Sequence, residues 1–140
     1  MKKVKIYFKK LELNIFNSSV NVYYYKDKDV ILSYLDDLYG DNFRALAIDE
    51  DYLEGSDAIA MRITKNSIVD NLILLTKTND YSILVHELLH VICNITETID
   101  VNFDIDNQEV LCYMIGYLMK QHQEKKWIEI KNNTDEEKNE

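Results

Sequence analysis

The sequence predicts a single α+β domain, with a small, mostly antiparallel sheet built early in the chain and a helical pair that closes it. Three observations lead there. Period-two alternation of apolar and polar residues fills the first 25 positions, an isolated helical stripe follows at 29–39, and two long helical patterns occupy 80–95 and 106–123. A chain of 140 residues has the length of one domain, predicted over 1–130. The remaining stretch, 131–140 (KNNTDEEKNE), holds no apolar side chain and is expected to be an acidic, disordered tail.

Each element has a local reason. Val4, Ile6 and Phe8 alternate with polar or amphipathic neighbours, and Leu11, Leu13 and Ile15 alternate in the opposite phase, so a bulge at Lys9-Lys10 is expected to join them. Asn17-Ser18-Ser19 reads as a turn into a second strand at 20–25, which makes a hairpin. Residues 29–39 read as a helix with Asp29 as N-cap, a stripe of Val30/Ile31, Tyr34/Leu35 and Leu38, and Gly40 in the left-handed position beyond its end. Short strands are expected at 45–48 and 58–63 around an acidic turn at 51–57. A strand buried on both faces is expected at 71–76, where the run is almost wholly apolar. The helix at 80–95 carries apolar residues on nearly every face and is predicted to be buried. The helix at 106–123 has room to run on to Ile130.

Composition excludes whole classes of function. Sixteen basic against twenty-five acidic residues leave a net charge of -9, the wrong sign for a phosphate-backbone partner, so no nucleic acid is expected. No apolar run approaches the ~20 residues that span a bilayer, so no membrane partner is expected. The basic start (Lys2, Lys3, Lys5) is followed by too short an apolar stretch for a secretory signal. Two cysteines make no disulfide framework and fit a reducing compartment.

One motif carries chemistry. The second-last helix holds His86-Glu87-Leu88-Leu89-His90, the pattern H-E-x-x-H. Residues four apart on a helix differ by about 40° in direction, so both imidazoles can point at one metal ion. Glu87 lies about 100° round from His86, beside the metal, where a carboxylate can take a proton from a water that zinc has acidified. Catalytic zinc usually has a third protein ligand. Glu109, nineteen residues after His90 and at the start of the next helix, is the leading choice if a helical hairpin folds it back. Gly116, seven residues further on, would then let the two helices approach closely, and Tyr113 could donate to a ligand or oxyanion. Cys93 is an alternative ligand or a thiol behind the site, and Asp100, Asp104 and Asp106 are further oxygen donors. His122, about 220° round its helix from Glu109, faces away.

Each has a plainer reading beside it. H-E-x-x-H also arises by chance on helices, and the three side chains can be hydrogen-bonded polar groups without a metal. Against that, ionisable side chains on a predicted buried helix need partners, and a metal satisfies all three. Asp106-x-x-Glu109 also fits a capping box, which alone explains the glutamate. Cysteines such as Cys93 and Cys112 are more often small buried hydrophobes than ligands, and a tyrosine such as Tyr113 is more often a core aromatic.

The stretch from His86-Glu87-Leu88-Leu89-His90 to Glu109-Val110-Leu111-Cys112-Tyr113-Met114-Ile115-Gly116-Tyr117-Leu118 resembles small zinc peptidases encoded by phages and prophages, whose pattern is H-E-x-x-H, a spacer near twenty, then E-x-x-A-Y-x-x-G-Y-L. Cys112 stands where that family often has alanine; Tyr113, Gly116, Tyr117 and Leu118 match. The resemblance covers about 80–120 and implies a zincin fold of the gluzincin type. It implies His86, His90 and Glu109 as zinc ligands, Glu87 as general base, and a peptide or protein substrate in the host cytoplasm. It also allows an inactive zincin-fold structural or interaction protein of a phage particle, with phage structural proteins as partners and the virion as its location. A second, looser resemblance is to the ImmA/IrrE-type peptidases that act on repressors; their alanine-asparagine pair and methionine-proline end are missing here, where Leu111-Cys112 stand and no proline occurs.

Overall fold

A computed structural model describes residues 5–40, 57–101 and 104–130. Strands β1 (Ile6–Leu13) and β2 (Ser18–Tyr25) form a hairpin, and helix α1 (Lys28–Tyr39) follows. Strands β3 (Ala58–Lys65) and β4 (Ile68–Leu75) form a second hairpin. Helices α2 (Tyr81–Thr98) and α3 (Gln108–Glu124) and a short strand β5 (Ile128–Ile130) complete the described chain. The class is α+β, with a five-stranded mixed sheet in the order β3-β4-β2-β1-β5. Three pairings are antiparallel and one, β2 with β4, is parallel. The expected strand at 45–48, most of the acidic turn and the tail at 131–140 lie outside the described residues.

The phase switch in the first strand has a different cause from the expected bulge. Pairing with β2 runs unbroken from Ile6↔Tyr25 to Leu13↔Ser18. Instead, both faces of β1 are covered at different ends. Leu11 and Leu13 join a core with Val20, Val22, Ile73 and Leu75 beneath α2 and α3. Ile6 joins a second core with Tyr23, Tyr25, Leu72 and Leu74 beneath α1. The apolar set therefore changes face where the covering helix changes. Burial of residues 72–75 of β4, between β3 and β2, follows from the same two-sided cover.

Caps fall close to where composition placed them. The N-cap of α1 is Asp27 and not Asp29: the Asp27 carboxylate accepts from the Asp29 and Val30 amides. Gly40 has φ +62 and ψ -135, a positive-φ conformation outside the αL basin, and its amide donates to the Asp36 carbonyl. Asn17, also at positive φ, closes the 3-10 turn Asn14–Phe16 between β1 and β2. Asp80 caps α2, with its carboxyl held below the usual range by the Ser82 hydroxyl and the Ile83 amide. The expected Asp106/Glu109 capping box does not form: Asn107 is the N-cap of α3, and Asp104 accepts from the Asn107 amide.

Three further expectations change. Helix α2 is amphipathic, not buried all round: Leu84, Leu88, Val91, Ile92 and Ile95 face the sheet, while His86, Leu89, His90 and Cys93 are exposed. Each of those buried aliphatic side chains contributes about 1.5–3 kcal/mol. Helix α3 stops at Glu124, and 128–130 pairs with β1 as β5. Gly116 brings no helix close, since a Cβ there would meet nothing within 4 Å.

Strand β5 covers only Ile6 to Phe8 of β1. Beyond it, α3 satisfies the strand edge with side chains. The Gln121 amide accepts from the Glu12 N–H at 2.9 Å and donates to the Glu12 carbonyl at 2.6 Å, as a neighbouring strand would, and Lys125 donates to the Lys10 carbonyl. Gln121→Ala is therefore expected to lower stability by about 1 kcal/mol, read from the midpoint of urea unfolding with an unchanged slope.

Candidate metal and hydrolytic site

The H-E-x-x-H segment sits in the first half of α2, between the Asp80 cap and the apolar contacts of Leu88 and Val91 with the sheet. Packing of one face fixes the direction of the other. His86 and His90, one turn apart, both project from the exposed face. Their Nε2 atoms lie 3.3 Å apart, with ring centroids separated by 4.9 Å and planes inclined at 72°. Two nitrogens bound at 2.0–2.1 Å with a tetrahedral angle between them are separated by about 3.3 Å. The pair thus has the bite that a tetrahedral metal ion requires. As free imidazoles the same contact is a hydrogen bond, one Nε2–H donating to the other Nε2.

Glu87 is turned from that face towards the sheet edge and is only 8% exposed. It borders a cleft of ≈ 360 Å³ together with His86, Ser82, Ile83, Asp57 and Ala58. Asp57 is pinned there by Thr76, whose amide and hydroxyl both donate to its carbonyl at 3.0 and 2.9 Å. Its carboxylate meets Lys77 Nζ at 3.4 Å. Strand β3 leaves the cleft at Ala58 and forms one end of the sheet; among the described residues its outer edge has no strand partner.

Glu109 is placed elsewhere. It lies in the first turn of α3, exposed, in the wall of an apolar pocket of ≈ 530 Å³ with Leu13, Phe16, Tyr113, Met114 and Tyr117. Tyr113, 78% exposed, belongs to that pocket and not to the histidine pair. Among the described residues no three His, Cys, Asp or Glu side chains converge in a way that would hold a metal ion. Cys93 and Cys112 are exposed free thiols. Asp104 serves the 3-10 turn before α3, and Asp100 follows α2 at positive φ. His122 is buried beside Lys9, Tyr81 and Trp127.

Asp57 and Ser82 are members of the cleft that sequence reasoning missed. Asp57 had the look of one more acidic turn residue. Its place depends on the β3–β4 hairpin and on Thr76, which no local pattern announces. No described helix is long and apolar enough to cross a membrane. Comparisons with protein-family models, with curated proteins and with solved structures returned no match, so the site's own geometry carries the functional reading.

Proposed function

We propose that the chain is a zinc-dependent, metallopeptidase-like hydrolase of peptide bonds, of the phage-borne, gluzincin-like kind that its motif resembles. The observation that carries the reading is the 3.3 Å approach of the His86 and His90 Nε2 atoms beside a nearly buried Glu87. His86 and His90 would hold zinc; Glu109, the third ligand that the sequence assigns, lines a separate pocket here. Bound zinc would polarise the scissile carbonyl and bring the pKa of a water to about 7. Glu87, beside the pair, would be the carboxylate able to accept a proton from such a water and return it to the leaving amine. An extended peptide adds along the edge of β3 that has no strand partner among the described residues, which delivers its backbone to the cleft at Ala58.

Zinc measured by plasma emission is expected at about one equivalent per chain after loading and dialysis. His86→Ala is expected to abolish it, and Glu109→Gln to weaken it by a smaller factor, since the pair alone already forms the bite. Wild-type protein that retains no stoichiometric zinc ends the reading. The place of Glu109 in a pocket that does not include the histidine pair favours a second reading: a zincin-fold protein of a phage particle in which the metal only stabilises. In that case chelation lowers the melting temperature and no preparation hydrolyses peptides.

A further inference from the structure

The cleft beside Glu87 has the chemistry of a side-chain pocket as well as of a reaction site. Its floor is apolar and small: Ala58 and Ile83 are half-buried and packed on the main core. Its rim is anionic. Asp57 lines it, and the other ionisable groups among the described residues of the wall are Glu87 and His86, with no described lysine or arginine among them. The Ser82 hydroxyl is committed to the Asp80 cap at 2.6 Å, so the acceptor of the rim is the Asp57 carboxylate, held only by the exposed Lys77.

That carboxylate already attracts a cation. Lys77 reaches it from outside the cleft at 3.4 Å, with the two side chains 59% and 54% exposed. A solvated pair of this kind is weak and exchangeable. A side chain that lays an aliphatic stem on Ala58 and Ile83 and ends in a cation would displace Lys77 and satisfy both parts of the pocket. The chain's net charge of -9 favours the approach of such a ligand.

We infer that Asp57 is a specificity-determining residue and that the cleft takes a lysine or arginine side chain of the substrate peptide, adjacent to the bond that is cut. This inference rests on the peptidase reading above and names its substrate class. Glu87 and the histidine pair act at the bond; Asp57 selects what is presented to them. The selection is independent of the chain's fold, because the structural role of Asp57 is carried by its backbone carbonyl, which Thr76 holds.

The test uses the zinc-loaded full chain and internally quenched peptides that differ at one position, Lys, Arg, Leu or Glu, placed on either side of the central bond. The basic peptides are expected to be cleaved roughly two- to fivefold faster than the leucine peptide, the range an exposed ion pair supplies, with the glutamate peptide slowest. Asp57→Asn is expected to level the series, and Asp57→Lys to invert the ranking of lysine and glutamate, both with unchanged zinc content and melting temperature. Cleavage with leucine equal to lysine, or a basic preference that survives in Asp57→Asn, overturns the inference and leaves the peptidase reading intact. A second arm measures binding of the same labelled peptides to zinc-loaded Glu87→Gln by fluorescence anisotropy. The same ranking there supports the inference even where no peptide is cleaved, and no binding of any peptide overturns inference and reading together.

Discussion

Glu87→Gln is expected to lower peptide hydrolysis at least a hundredfold while zinc content stays unchanged. The expectation follows from the position of the carboxylate. Glu87 leaves α2 on a different line from His86 and His90, so the histidine bite does not pass through it. It borders the cleft with His86 and is nearly buried. Glutamine keeps the shape and removes only the capacity to accept and return a proton, a role that contributes about 10²–10⁴ in rate. A buried ionisable group is costly to desolvate, so the amide should leave the fold as stable or slightly more so. His86→Ala differs in kind, because it is expected to lose metal and turnover together. Full turnover in Glu87→Gln would remove Glu87 from the chemistry while leaving the histidine pair as a metal site, and peptide cleavage followed beside zinc content separates these outcomes.

The shared direction of His86 and His90 was legible because it is local. Two histidines four apart on a helix must share a face, and the apolar residues between them, Leu88 above all, state which face is turned to the sheet. The error about α2 came from counting apolar residues without asking how many faces the sheet could cover. Leu89 and Cys93 lie on the exposed side despite their chemistry. The first strand misled for the opposite reason. A change of phase normally signals a bulge, and here it signals a change of covering layer, from α1 over Ile6 to α3 and α2 over Leu11 and Leu13. Periodicity reports which side is apolar and is silent about what lies on that side.

Long-range placement was not legible. The two-residue turn Asn66-Ser67, with φ of 53° and 66°, suits a tight β-hairpin, and an Asn-Ser pair between two apolar runs was a usable sign of it. The parallel pairing of β2 with β4 has no such sign, since it depends on which edge the second hairpin chooses. That choice puts Asp57 against the first turns of α2 and so builds the cleft. The place of Glu109 likewise depends on which side of α3 faces α2. A spacing of nineteen residues is compatible with either side, and burial of Met114, Leu118 and His122 selects the one that turns Glu109 into a separate pocket.

Stability is expected to fall as the pH drops from 6.5 towards 4, with part of that slope belonging to a histidine outside the site. His122 is 4% exposed, between the Trp127 ring at 5.6 Å and the Tyr81 ring at 6.3 Å, and its Nδ1 has no hydrogen-bond partner. Lys9 Nζ sits over Trp127 at 4.5 Å and donates to the His122 carbonyl at 2.8 Å, so a cation already occupies the neighbourhood. Burial first, and the Lys9 charge second, push the His122 pKa down to about 4. In the unfolded chain the imidazole returns to about 6.5 and takes up its proton at higher pH than the folded one. Between those values the unfolded state binds more protons, so this contribution is present in full above pH 6.5 and is lost as the pH approaches 4. Discounted for partial solvent relaxation, it amounts to about 2 kcal/mol between pH 7 and pH 4.5. Carboxylates paired in the fold add slopes of the same sign, and a difference measurement removes them. His122→Phe keeps a flat ring among the aromatic neighbours and cannot protonate. Urea unfolding followed through Trp127, the single tryptophan, should show the variant losing about 2 kcal/mol less than wild type over that interval. Parallel slopes in the two proteins would mean that His122 is solvated in the folded state, and the buried Lys9–His122–Trp127 arrangement would fail with it.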